Sequence, residues 1–213
     1  MNPADQDNLT ARGAATRQRL IDAAHQELLE TGGRLEVAAV ARRAKVAVGL
    51  LYRYFGSKDG LVEAVVNAFY DRYDAQVFAA DMGPGLDWRQ RERLRLRREI
   101  EFLYHDPLGR IVLARRLHEP AAAQADAVRL ATQIDLGARN VARGQREGQL
   151  DPGIDPRLAA AAFLGAFRAV MGEALNREEK PSPDMLFEAV WRLGFRLIAH
   201  RDETEPVEPP AVS

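Results

Sequence analysis

Residues 40–58 read VARRAKVAVGLLYRYFGSK, and the fold turns on how this stretch is read. Val40, Ala41 and Ala44 form an apolar stripe at i, i+1 and i+4. The pattern breaks at Lys45-Val46, and Ala47, Leu51, Tyr54 and Phe55 restart it on a new axis. Two helices of about two turns each bury too little apolar surface to stand alone. Braced by a neighbouring helix they make a helix-turn-helix, whose second helix turns Val48, Gly49, Tyr52 and Arg53 outward, toward where a DNA major groove would lie. Ser57 has the chemistry of an N-cap for the next helix, with Lys58 in its first turn. The helix dipole disfavours a cation there by a few tenths of a kcal/mol. A phosphate bound at the same helix start reverses that sign, since backbone N–H groups and one Lys together make an anion site.

The chain before this stretch supplies the brace. Residues 1–13 are polar, with Asn, Asp, Gly and Pro, and are expected as a disordered arm: a mobile tail on the plain reading, or one from which Arg12 and Arg17 follow a DNA backbone or enter the minor groove. Thr16 is expected to cap a helix running to Glu30, with Leu20, Ala23, Ala24 and Leu28 as its core stripe and Thr31-Gly32-Gly33 as its stop. After Ser57 the apolar positions Leu61, Val65, Phe69 and Tyr73 continue a long helix to about residue 80. That helix belongs to both halves of the molecule, so tilting it would carry a signal between them.

Three quoted segments, TRQRLIDAA at 16–24, VARRA at 40–44 and LYRYFGSKDGL at 51–61, resemble in order and spacing the N-terminal domain of the TetR family of transcriptional regulators. The resemblance spans roughly residues 14 to 65, and the rest of the chain carries no motif. It implies an all-α protein of about nine helices: a three-helix DNA-binding domain at 14–60, then a ligand-binding and dimerisation domain at 61–201. By the same resemblance Tyr52, Tyr54 and Lys58 touch the DNA backbone, and Val48, Gly49 and Leu50 face bases; Lys45, at the turn, and Arg53 complete the expected DNA-binding set. The expected partners are a pseudo-palindromic duplex operator, a second copy of the chain, and a small-molecule effector whose binding releases the operator. A regulator or architectural protein without small-molecule control is the alternative.

Three positions depart from the family pattern. Lys45 stands where Gly is common in the turn, and a residue with a Cβ held at positive φ costs about 1 kcal/mol. Ala47 replaces the Ser or Thr that caps the reading helix, and Leu50 replaces a common Thr. Ala47, Val48, Gly49 and Leu50 bring no hydrogen-bonding side chain to a groove, which leaves thymine methyls, Tyr52, Arg53 and DNA shape as the means of readout.

Composition bounds the alternatives. The 213 residues are 46% hydrophobic with no Cys, enough for a sizeable core and incompatible with disulfides or thiolate metal sites. No apolar run approaches the roughly 18 residues of a membrane span, and a cytoplasmic protein is expected. The net charge is −1, yet Leu9 to Gly60 holds nine Arg or Lys against five Asp or Glu, while residues 202–213, an expected disordered tail, hold four acidic residues and no basic one. No nucleophile elbow, phosphate loop, zinc-protease helix or dinucleotide fingerprint occurs, so no catalysis and no cofactor are expected. His105-Asp106 and His118-Glu119 lie at helix breaks without an i, i+4 ligand pair, and no metal site is expected there.

The later helices carry two further expectations. Arg89, Arg91, Arg93, Arg95, Arg97 and Arg98 are spread around one helix as an ion-paired surface, or one or two of them line an opening for an acidic ligand together with Trp88. Leu158, Ala162, Gly165, Ala166 and Ala169 leave one side of a helix thin enough for close approach by another. Leu186, Val190, Trp191, Leu193 and Leu197 give the last helix more apolar surface than one partner covers. Both faces are assigned to a homodimer interface, with the chain's own core as the alternative.

Overall fold

The computed structural model describes residues 3–78, 82–113 and 119–198. Among them there are nine helices and no strand: α1 (Pro3–Glu30), α2 (Val37–Ala44), α3 (Val48–Phe55), α4 (Lys58–Val77), α5 (Trp88–His105), α6 (Pro107–Leu113), α7 (Pro120–Arg146), α8 (Pro156–Asn176) and α9 (Pro183–Ile198).

Helix starts follow local chemistry. Ser57 accepts from the Gly60 N–H at 3.0 Å, and Asp87 and Gln90 form a reciprocal capping box at the head of α5. Asp155 accepts from the N–H groups of Arg157 and Leu158, with Pro156 at the first helical position of α8. One start was misread. Thr16 lies inside α1, where its hydroxyl donates to the Arg12 carbonyl at 2.9 Å, and the helix runs back to Pro3 through the stretch expected as an irregular arm. No Gly pair or Pro after residue 3 forces an earlier break, so a Thr with an i−4 carbonyl in reach bonds it from within the helix. The expected stop at Thr31-Gly32-Gly33 is present, with Gly32 and Gly33 both at positive φ.

Helix α4 is the spine. Leu61, Val62, Val65, Val66, Phe69, Tyr70, Tyr73 and Val77 are all buried, more than one face of a helix, because α1 and α3 cover its first turns and α5 and α7 its later ones. Through α4 a continuous apolar core runs from Leu20 and Leu28 in α1 to Phe187 and Trp191 in α9. Polar clamps reinforce it. Arg168 of α8 grips Asp126 of α7 with both carboxylate oxygens, at 2.8 and 2.7 Å, and donates to the Tyr70 hydroxyl at 2.8 Å, while Tyr70 donates to Asp126. Burial pushes the Tyr70 hydroxyl pKa upward, so it stays a donor.

Helix α8 is long and apolar enough on average to cross a membrane by length and composition alone, although Arg168 interrupts its apolar run. Its Ala and Gly content lets neighbours approach. A Cβ on Gly137 of α7 would sit 3.0 Å from that of Ala160.

Candidate nucleic-acid interface and the cavity behind it

The turn between α2 and α3 is closed by backbone. The Lys45 N–H donates to the Arg42 carbonyl at 3.1 Å and the Val46 N–H to the Ala41 carbonyl at 3.0 Å, the paired bonds of a Schellman stop. They require a left-handed residue, and Lys45 takes it at φ 56, ψ 46. No other non-Gly residue among those described has positive φ. Helix α2 is held on α1 by Arg43, which pairs with Glu30 and Glu27.

Helix α3 buries Leu51 completely and half-buries Leu50, Tyr54 and Phe55. Its other side is open: Val48 is 40% and Tyr52 46% exposed, Ala47, Gly49 and Arg53 are exposed, and nothing lies within 4 Å of where a Gly49 Cβ would be. Ala47 caps α3 with no side-chain bond. Tyr54 rests against α1, its hydroxyl 3.6 Å from a Cβ on Gly13. Arg17 stacks over the Phe55 ring, its guanidinium carbon 5.3 Å from the centroid. Lys45, Val48, Gly49, Tyr52 and Arg53 therefore share one open surface, and Leu50 and Tyr54 lie at its edge.

Lys58 stands at the start of α4, and it is engaged. Its Nζ lies 2.7 Å from Glu119 Oε1, at the head of α7. The same oxygen accepts the Leu35 N–H, from the loop before α2, at 3.4 Å. Oε2 of Glu119 is buried with no hydrogen-bond partner. One carboxylate from the C-terminal half thus holds two points of the N-terminal unit. Glu119 has no cap bond to α7 itself, which is the one local hint that its side chain serves elsewhere.

Behind this unit, α5, α7 and α8 enclose a cavity of about 360 Å³, to which Phe78 at the end of α4 and Trp191 and Gly194 of α9 contribute. Of the α5 arginines, Arg91 pairs with Glu147 at 3.0 Å, Arg93 with Glu188 at 3.4 Å, and Arg97 with Asp184; Arg93 and Arg97 also lie over the Phe187 ring, 4.9 and 4.4 Å from its centroid. These three form the expected ion-paired surface. Arg95, paired with Glu92, turns inward and lines the cavity beside Trp88. Two residues of the wall carried no motif. Glu99 is 4% exposed and accepts the Tyr73 hydroxyl; burial pushes its carboxyl from 4.5 up to about 7. Gln133, also 4% exposed, turns its Nε2 toward the Asp74 carboxylate without completing a hydrogen bond of normal geometry. Their signal was positional, since Trp88, Glu92, Arg95 and Glu99 recur at helical spacing on one face of α5.

His105 and Asp106 end α5. The His105 Nδ1 faces the Glu101 carbonyl at 2.7 Å and Asp106 pairs with Arg72 at 2.8 Å. His118, His200, the side chain of Leu197 and the tail at 202–213 lie outside the described residues.

The surface assigned to the dimer divides. Leu158 is 71% exposed, Ala162, Gly165, Ala166 and Ala169 are exposed, and Gly165 has open space around it. On α9, Leu193 is 63% exposed, but Leu186, Val190 and Trp191 are buried at 6%, 4% and 8%. Those three were misassigned. They face α5, where Trp191 lies under Arg93 at 5.1 Å, and belong to the chain's own core. The outward stripe of α9 is instead Met185, Ala189 and Leu193.

An exposed reading helix on a three-helix unit, joined by one long helix to a helical body with a cavity partly open to solvent, defines a helix-turn-helix DNA-binding transcriptional regulator. The family model for bacterial regulatory proteins of the tetR family matches residues 20–65, the reading unit and the start of α4, and the chain is similar to transcription regulators of that family, which bind DNA operators and act as dimers. It is 24% identical to the A-factor receptor protein of Streptomyces griseus over 93% of this chain and 69% of that one. It is 32% identical to the HTH-type transcriptional repressor KstR of Rhodococcus jostii over 58% and 59%. Its fold is that of SmeT, the repressor of the Stenotrophomonas maltophilia multidrug efflux pump SmeDEF, with a TM-score of 0.69 over 92% of this chain and 94% of that one at 20% identity.

Proposed function

We propose that the protein is a homodimeric repressor that holds a two-fold operator through α3 and the first turn of α4, and releases it when a small molecule fills the cavity between α5, α7 and α8. The observation that carries this reading is the course of α4. It begins at Lys58, beside the open face of α3, and its C-cap, Phe78, lies in the cavity wall. Twenty residues of helix make a rigid lever of about 30 Å, so a ligand that displaces Phe78 also reorients the reading helix and changes the distance to the partner's. The names of the relatives agree, one being a receptor and two being repressors.

Lys45, Tyr52, Tyr54 and Lys58 take the phosphate contacts in this reading, Val48, Gly49 and Leu50 face base edges, and Arg53 reaches from the last turn of α3. The contact between Lys58 and Glu119 adds an electrostatic route. Glu119 heads α7, and α7 forms one wall of the cavity, so a shift of α7 changes how firmly Lys58 is withheld from a phosphate. The outward faces of α8 and α9 supply the dimer.

The test is the salt dependence of binding to duplex DNA by the full chain and by Lys58→Ala. Loss of one phosphate contact per subunit weakens binding to all duplexes by a similar factor and lowers the log–log salt slope by about one per subunit. An unchanged slope removes Lys58 from the interface.

A further inference from the structure

The cavity has two kinds of wall, and their placement describes a ligand. Phe78, Leu96, Leu136, Phe163, Leu164 and Trp191 make it mostly apolar. Toward the C-terminal end of α7, Arg139, Arg143 and Arg146 recur at i, i+4 and i+7, one face of the helix, and Arg95 joins them from α5. Glu92 neutralises Arg95, which leaves the three arginines of α7 as the cationic end. Glu99 accepts from Tyr73, and its burial favours the protonated, uncharged form up to about pH 7. Arg139 and Arg146 have no carboxylate partner among the described residues; Arg143 donates to the Asn140 side chain at 2.6 Å and has Glu147 no nearer than 3.9 Å. At the other end sits Gln133, 96% removed from solvent, whose Nε2 faces the Asp74 carboxylate without completing a hydrogen bond of normal geometry. A buried donor left without a good bond is costly, and a hydrogen-bonding ligand relieves that cost.

Antiparallel packing of α5 against α7 sets the order of these features. Trp88, at the start of α5, donates through its indole N–H to the Asn140 carbonyl at 3.0 Å, whereas Glu99, three turns later, lines a recess with Gln133. The cavity therefore has a cationic end near Trp88 and Arg143 and a neutral polar end near Gln133, separated by about 15 Å of helix along α7 and joined by apolar wall.

Resting on the reading of this cavity as the effector site, we infer that its ligand is an amphipathic organic anion: an acidic group held by Arg139, Arg143 and Arg146, an apolar body against Phe163, Leu164 and Trp191, and a far-end hydrogen-bond acceptor met by Gln133. Carboxylate and phosphate share the chemistry that the arginines recognise, by paired N–H donors on anionic oxygens. The volume of 360 Å³ holds about a dozen water-sized groups, which matches a ten-carbon chain with a carboxylate.

The experiment is calorimetric titration of the full chain, below micellar concentrations, with decanoate, 10-hydroxydecanoate, decyl phosphate, 1-decanol and decyltrimethylammonium. Decanoate or decyl phosphate, whichever of the two acidic groups fits, is expected to bind at least tenfold more tightly than decanol, and the cation more weakly still. Arg139→Gln with Arg143→Gln should erase the advantage of the anion while leaving decanol unchanged. 10-Hydroxydecanoate should bind several-fold more tightly than decanoate, and Gln133→Leu should remove only that difference. Decanol or the cation binding as tightly as the anions overturns the anion assignment and leaves an effector cavity of other specificity. No heat from any of the five probes overturns the ligand class, and probe binding that leaves duplex affinity unchanged overturns the effector reading on which it rests.

Discussion

At the scale of single residues, the turn of the reading unit carries a cost that the chain has accepted at Lys45. A left-handed conformation costs a residue with a Cβ about 1 kcal/mol, and Gly avoids it while giving back part in unfolded-state entropy. Lys45→Gly is therefore expected to raise the melting temperature by about 1–3 °C, measured by scanning calorimetry. If the Lys45 ammonium also meets a phosphate, as proposed, the same variant binds duplex DNA more weakly and with a shallower salt slope. A more stable protein with weaker DNA binding would mark Lys45 as a residue kept for contact against its conformational preference. A destabilised variant would mean that the Lys stem packs usefully on the turn. Gly60 is the opposite case. A Cβ there would lie 2.2 Å from the Phe55 carbonyl oxygen, so the junction of α3 with α4 admits no side chain.

At the scale of the element, α8 has two faces with different tasks. Phe167, Met171 and Leu175 are buried inward, and Arg168 ties the helix to Tyr70 and Asp126. The outward face, from Leu158 through Gly165 to Ala169, is small-residued and open, and beside it lies the Met185, Ala189 and Leu193 stripe of α9. An unpartnered apolar surface on two adjacent helices is what a four-helix interface uses, and a two-fold axis places any intruding side chain twice. Gly165→Leu should split the dimer in sedimentation at micromolar concentration while leaving the monomer folded, because nothing in its own chain lies within 4 Å of the new Cβ. Val128→Phe, which adds the same number of side-chain carbons at a position 57% exposed on α7, should leave the dimer intact. A Gly165→Leu dimer of normal strength would assign the interface to other helices.

At the scale of the whole molecule, two buried carboxylates matter: Glu119, which connects the halves, and Glu99, which lies within the C-terminal one. Glu119→Gln removes the charge that holds Lys58, so duplex affinity should rise several-fold, the yield of a partly buried ion pair. Gel-shift titration at fixed salt would register it, and unchanged or weaker binding would mean that the contact does not compete with DNA. Glu99 governs pH dependence. Its folded-state value lies above the ordinary 4.5, at about 7, so the folded protein holds this proton more tightly than the unfolded chain. The stabilisation is complete below 4.5 and is lost as pH rises through 7. Between those values the wild type should lose stability relative to Glu99→Gln, whose neutral amide does not titrate. Melting temperatures of the two at pH 5 and pH 8 test it, and parallel curves would place the titration elsewhere.

The sequence by itself determined the reading unit and the helix ends, because both are written in neighbours along the chain. The break at Lys45-Val46, the cap at Ser57 and the stop at Thr31-Gly32-Gly33 each depend on residues within one turn. Thr16 failed for a related reason: a residue that caps well also bonds back to an i−4 carbonyl inside a helix, and local composition does not distinguish the two. Tertiary structure alone decided what each helix faces. Helical spacing gave α9 an apolar face that included Leu186, Val190, Trp191 and Leu193 without saying that the first three are buried against the chain's own core while Leu193 faces outward. It marked six arginines on α5 without choosing Arg95 for the cavity, and it left Lys58 free for DNA when Glu119, sixty-one positions away, lies 2.7 Å from it. Periodicity records that a face is apolar or charged, whereas its partner is fixed by packing between segments distant in sequence.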